Sequence, residues 1–199
     1  MHISEGVLSS QILIAGYAGT CIGVGFGLKK IQDYKIVRTA LLSSAFFLAS
    51  LVNIRIGPGS THLSFIAPVG LILGWGAFPA IFAALLLQAI LFHFGGFFVL
   101  GANTFTMAFP ALAVNLIFGK IIRKSEKKFT VMTFSFLAGA LAVIMGAATA
   151  GIFLYFTDEK FFGAVKIMFF AHVPLALIEG VASAFLISWL KKTSPEFLN

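Results

Sequence analysis

Met1 is followed at once by His2. A free terminal amine next to a histidine in the second position is a chelate. The Met1 amine, the His2 amide nitrogen and the His2 Nδ1 close fused five- and six-membered rings around one ion, with the nitrogens in a plane. A further imidazole completes a square of nitrogens, a geometry of nickel(II) or copper(II) rather than of magnesium, calcium or tetrahedral zinc. His62 is the best donor for that corner, because Gly57, Pro58, Gly59 and Ser60 just before it form a turn that can fold toward the N-terminus. The amide and both imidazoles must be deprotonated to bind, so binding should weaken in acid.

Two further histidines, His93 and His172, lie with Asn103 and Glu5 near the same ends of apolar segments. One histidine on an apolar helix is usually a hydrogen-bonded packing residue; histidines converging from several segments suggest a site. His93 either orients a metal-bound imidazole or caps its helix. Asn103 caps the helix it begins or bridges to the N-terminal tail. Glu179 is ionisable and well inside the last apolar segment, so it requires a partner or must be neutral. His172 lies seven positions earlier on nearly the same face, with Pro174 between them loosening the helix. Both a relay and an interhelical hydrogen bond fit that pair. Cys21 is single, which rules out a disulfide framework within the chain and reads as a small buried hydrophobe.

The elements that carry these residues are set by composition. Of 199 residues, 59% are hydrophobic and 11% charged, and the mean hydropathy is +1.02. A soluble domain does not look like this; the solvent is a lipid bilayer. The net charge of +7 does not point to nucleic acid, because the basic residues flank apolar segments instead of lining one polar face. The expected architecture is all-α, one transmembrane metal-binding domain over residues 1–199. The first apolar stretch lacks a basic segment ahead of it, so the N-terminus is expected to be retained rather than cleaved as a signal peptide.

Apolar segments run Val7–Leu28, Val37–Ile54, Thr61–Gly74, Ala77–Phe94, Ala102–Ile122, Phe129–Phe156 and Phe162–Leu190. Most Lys and Arg residues fall in three places: Lys29, Lys30, Lys35 and Arg38; Lys120, Arg123, Lys124, Lys127 and Lys128; and Lys191 and Lys192. The positive-inside rule makes all three cytoplasmic. Thr61–Gly74 is short, about 21 Å of helix, but the charge pattern holds only if it crosses. Seven transmembrane helices follow, with the N-terminus outside, the C-terminus cytoplasmic and a cytoplasmic turn at Gly74, Gly76 and Pro79. Small residues recur at one-turn spacing, as Ala15, Gly19, Gly23 and Gly27 and as Ala138, Ala142, Gly146 and Ala150. They serve close packing within the chain or docking onto a partner.

Several blocks together resemble a known family. They are Met1-His2-Ile3-Ser4-Glu5-Gly6, Pro58-Gly59-Ser60-Thr61-His62-Leu63, Gly74-Trp75-Gly76-Ala77-Phe78-Pro79, Leu87 through Gly96 with His93, Leu100 through Ala108 with Asn103, and Ala171 through Gly180 with His172. The chain resembles the substrate-binding membrane subunits of nickel and cobalt energy-coupling-factor transporters, the NikM/CbiM family. The resemblance implies a seven-helix subunit whose tail tucks into the protein. It implies a metal held by Met1, His2 and a histidine that maps to His62, with Ni2+, or in second place Co2+, as transported substrate. The Gly-Trp-Gly-Ala-Phe-Pro and Leu-Leu-Leu-Gln-Ala blocks are closer to the nickel members.

The resemblance also implies an inner-membrane location and three kinds of partner: a membrane coupling (T) subunit, a pair of cytoplasmic ATPase subunits and a small accessory membrane subunit. The sequence carries no G-x-x-x-x-G-K-[ST] phosphate loop, so ATP hydrolysis is left to those partners and the chain is not expected to be an enzyme. Two rival readings are a vitamin-binding subunit of the same transporter type and an intramembrane metalloenzyme. Against the latter, there is no H-E-x-x-H pair.

Overall fold

Backbone amides at membrane depth have no water to bond, so they must be satisfied by helix, by closed sheet or by the protein around them. This chain uses the first and the last. In the computed structural model the backbone is described for residues 3–31, 33–56 and 59–198, and side chains for these except 33, 34 and 53–61. The helices are α1 (Ser10–Lys30), α2 (Asp33–Ser50), α3 (Ile66–Leu73), α4 (Ala77–Phe92), α5 (Leu100–Val114), α6 (Lys120–Lys124), α7 (Lys128–Thr157) and α8 (Phe162–Thr193). A π-helical turn, Asn115–Gly119, joins α5 to α6. Tight 3-10 turns stand at Gly74–Gly76, Glu159–Phe161 and Pro195–Leu198.

The fold is helical throughout as expected, apart from one short hairpin among the described residues. Strands β1 (Asn53–Ile56) and β2 (Gly59–His62) form an antiparallel hairpin with Asn53 opposite His62 and Ile56 opposite Gly59. Helix gives way here because Gly57, Pro58 and Gly59 are poor helix formers, and Pro disfavours helical backbone in the residue before it.

The short third helix also differs from expectation. It begins at Ile66 rather than Thr61 and has eight residues, about 12 Å of rise. Its buried residues include Ile66, Ala67, Val69 and Leu71, so it is a strut inside the bundle. Its backbone lies so close to α5 that a Cβ on Gly70 would stand 2.0 Å from the Ala111 carbonyl oxygen. At Gly74 the chain takes φ +54, a left-handed value that glycine adopts without penalty. α4 then runs back.

Contacts fix the directions. Gly16 and Gly19 of α1 meet Ala102 and Phe105 of α5, while Gly23 and Gly27 meet Phe78 and Pro79 at the start of α4. Thus α1 and α5 run one way and α4 the other. Ser43 and Ser50 of α2 bond Ala80 and Gln88, setting α2 parallel to α4. Gly70 and Gly74 meet Ala111 and Asn115, setting α3 parallel to α5. Gly139 and Gly151 of α7 meet Gly180 and Val165, setting α7 antiparallel to α8. Successive segments therefore alternate in direction. Among the described residues, five stretches are long and apolar enough to cross a membrane: Ser10–Lys30, Ile66–Phe92, Leu100–Lys124, Lys128–Thr157 and Glu159–Thr193. The second of these contains the reversal at Gly74–Gly76.

The small-residue ridges face inward. On α1 the seam runs through Gly16, Gly19, Gly23 and Gly27, and Ala15 is exposed beside it. On α7 Ala138, Ala142, Gly146 and Ala150 are buried. The basic clusters gather at one end. Lys30 lies over the Trp75 ring, Arg38 donates to the Phe197 carbonyl, and Arg123 donates to the Leu71 carbonyl. Lys191 Nζ closes the end of α6 on the carbonyls of Ile122, Arg123 and Ser125.

Candidate metal centre

At the opposite end the N-terminal tail lies in the bundle rather than on it. Ile3 and Leu8 are buried with Val99, Ala102 and Ala150, and Met168 packs against them. Asn103, in the first turn of α5 and 2% exposed, makes a two-way pair with one residue. Its Oδ1 accepts from Ile3 N–H at 2.9 Å and its Nδ2 donates to the Ile3 carbonyl at 3.0 Å. Of the two roles open to Asn103 in sequence, the geometry displays the bridge to the tail; no side-chain cap bond is made at the start of α5.

Three further bonds carry the tail into α1. Glu5 N–H donates to the Gly95 carbonyl, and Glu5 Oε1 accepts from Phe98 N–H at 3.0 Å. Ser9 N–H donates to Thr157 Oγ1 at 3.2 Å. The Glu5 carboxylate lies flat on Gly96, where a Cβ would stand 2.2 Å from its carboxyl carbon and where φ is +114. Met1 and His2, the proposed chelate, lie outside the described residues, as do Gly57 and Pro58 of the turn before His62.

His62 ends β2, four residues before α3, and is 6% exposed. Its Nδ1 is 3.2 Å from the Leu63 carbonyl oxygen. An imidazole that donates from Nδ1 keeps its lone pair on Nε2, the form that binds a metal. β2 lies against α8, and Leu63 packs on Val143, Leu175 and Ala176. Its N–H donates to the Val52 carbonyl.

α8 thus meets the tail and the His62 segment on successive turns: Met168 touches the Ile3 cluster, Leu175 and Ala176 touch Leu63. His172 stands between them, 6% exposed. Its Nδ1 bonds the Met168 carbonyl at 2.7 Å, and its buried Nε2 has no hydrogen-bond partner among the described residues. His93 is different: it caps the end of α4 in left-handed backbone, φ 56, and is exposed.

Glu179 has the partner that its depth requires, one that sequence reasoning did not name. It accepts from Ser64 and Phe65, the residues just after the His62 segment. The signal in the sequence was only that a carboxylate so deep needs donors. Among the described residues no three His, Cys, Asp or Glu side chains gather around one point. The residue next to His2 is held by Asn103.

Residues 2–197 match the family described as the cobalt uptake substrate-specific transmembrane region, CbiM. The chain belongs to the CbiM family. Over its whole length it is 35% identical to a Haemophilus influenzae protein named for metal transport, covering 97% of that protein. It is 29% identical to the cobalt transport protein CbiM of Kyrpidia tusciae, again over the whole chain and 86% of the relative. The fused nickel transport protein NikMN of Rhodobacter capsulatus is 28% identical, with all of this chain matching 64% of it. A crystal structure described as a transition metal transporter aligns with TM-score 0.71 at 25% identity, over 96% of this chain and 93% of that one. A truncated one aligns with TM-score 0.69 at 24% identity, over 98% and 99%. As a CbiM-family member the chain is a membrane component of cobalt and nickel uptake and not an enzyme.

Proposed function

We propose that this CbiM-family chain captures Ni2+, and Co2+ in second place, in a plane of four nitrogens: the Met1 amine, the His2 amide, the His2 Nδ1 and an imidazole nitrogen of His62. The observation that supports it best is the Asn103 pair on Ile3. A buried amide that takes up both backbone groups of Ile3 ties the residue beside His2 into the bundle, near the α8 turns against which the His62 segment packs. Binding through a deprotonated amide favours nickel(II), and the printed names of relatives include both metals.

In this reading the alternating segments span the membrane seven times, with the basic clusters on the cytoplasmic side of the inner membrane and the tail outside. The chain works as the capture subunit of an energy-coupling-factor importer, with a membrane coupling subunit, ATPase subunits and a small accessory subunit supplying the driving force. His93 and His172 are left out of the ligand set.

The test is nickel binding by the purified full chain against a variant with one glycine added before Met1. The extension keeps every side chain and displaces only the terminal amine from its chelate ring. A loss of affinity is expected, together with loss of the planar nickel absorption; unchanged binding refutes the terminal chelate. His62→Ala tests the remaining corner separately.

A further inference from the structure

Glu179 lies seven positions past His172 on α8, at 1% exposure. Its hydrogen-bond partners among the described residues all come from the segment that follows His62. Oε1 accepts from Ser64 N–H, from Ser64 Oγ at 3.1 Å and from Phe65 N–H at 3.0 Å; Oε2 accepts from Phe65 N–H at 3.0 Å. Every hydrogen-bond partner of the carboxyl group among the described residues is a donor, which suits an acceptor better than the half-donor amide of glutamine.

The segment it holds is not one that would hold itself. Phe65 has φ 47 and ψ 31, left-handed backbone that is sterically disfavoured for a residue with a Cβ. Residues 63–65 are non-helical between the end of β2 and the start of α3, and Ser64 is 0% exposed, where an unbonded amide is costly. Their N–H groups are answered by the Val52 carbonyl, which takes that of Leu63, and by Glu179, which takes those of Ser64 and Phe65. Ile66, the next residue, is 0% exposed and starts the central strut. The position of His62 therefore follows from where Glu179 holds Ser64 and Phe65.

We propose that Glu179 is a positioning residue for metal capture: its carboxylate clamps the Ser64–Phe65 elbow and so sets the place of the His62 imidazole. This rests on His62 being a nitrogen donor to the ion. Glutamine is the sharp replacement, because it keeps the size, offers one acceptor oxygen and turns an NH2 group toward the incoming N–H donors. Groups that orient a metal-bound imidazole from behind are each worth roughly 10–100-fold in metal affinity.

The experiment titrates Ni2+ alone into the full chain with a native N-terminus, as wild type, Glu179→Gln, Ser64→Ala and His62→Ala. It records affinity, the absorption of planar nickel and hydrogen exchange over residues 62–66. Glu179→Gln is expected to bind roughly 10–100-fold more weakly, to regain the planar absorption at saturating nickel and to exchange faster at residues 63–65. Ser64→Ala, which removes one donor of the clamp, is expected to lose less affinity in the same direction. Native affinity in Glu179→Gln overturns the clamp, as does a loss of affinity without faster exchange. If Glu179→Gln does not fold, native affinity in Ser64→Ala overturns it. Should wild type show no planar absorption, or His62→Ala bind as wild type does, the four-nitrogen reading fails whatever Glu179 does. With those controls intact, an unchanged Glu179→Gln removes the clamp alone.

Discussion

Replacing Asn103 by alanine removes two buried hydrogen bonds, of 2.9 and 3.0 Å, and leaves both backbone groups of Ile3 without them. Each bond is worth about 0.5–1.5 kcal/mol net, so the docked tail loses about 1–3 kcal/mol relative to an undocked one. At about 1.4 kcal/mol per tenfold, that is a shift of about 5- to 150-fold in the docking equilibrium. Apparent affinity falls with the fraction of protein in the competent state. Nickel affinity should therefore fall by up to that factor, and by less if the wild-type tail holds stability in reserve. The Ile3 and Leu8 burial remains, so the bundle should melt near its native temperature. Isothermal titration with nickel measures the first quantity and a thermal melt in detergent the second. Native nickel affinity in Asn103→Ala would refute the link between tail docking and metal capture. A collapse of the melt would show instead that Asn103 supports the whole fold.

Gly96→Ala should weaken nickel binding as Asn103→Ala does, because a Cβ there meets the Glu5 carboxylate of the docked tail in backbone of positive φ; titration of the two variants side by side checks it. Gly70→Ala should destabilise the fold by about 1–3 kcal/mol or more, the range for overpacking a core, since its Cβ would stand 2.0 Å from a backbone oxygen of α5. A lower melting temperature, present without metal, is the readout. Lys191→Met should loosen the end of α6, which Lys191 closes through three carbonyls. About 1–3 kcal/mol of local stability is at stake, and faster hydrogen exchange or proteolysis near Ser125 would report it.

How much of this was legible beforehand depends on the range of the interaction that decides each feature. The gathering of the basic clusters at one end followed from their spacing between apolar segments, which is local. So did the close-packed ridges, apart from the one-residue shift from Ala15 to Gly16 on α1. The start of α3 was missed because Thr61 to Phe65 are apolar enough to continue a helix, and what keeps residues 63–65 out of one is a carboxylate 115 positions away from Ser64. Asn103 could not be decided locally either: an asparagine at the start of a helix suits a cap and a bridge equally, and only the position of Ile3 separates them. The left-handed backbone at Phe65 carries no signal in a residue whose type does not favour it, whereas at His93 the capping role open to it in sequence is the one its backbone displays.

Two segments enter the apolar bundle without helical hydrogen bonding, the tail and the stretch after His62; polar side chains from distant helices dock them, Asn103 and Thr157 the tail and Glu179 the stretch. The side-chain type matches the backbone it serves. Asn103, whose amide both donates and accepts, answers the N–H and carbonyl of a single residue, whereas Glu179, placed among donors, answers the consecutive N–H groups of Ser64 and Phe65. On the proposed ligand set, every donor atom to the ion then belongs to a segment held by a few hydrogen bonds rather than to a packed helix. Such a plane can be taken apart for inward release by breaking bonds worth about 1 kcal/mol each, with no helix of the core repacked. Ligands rooted in α7 and α8 would require moving the tightest contact in the bundle.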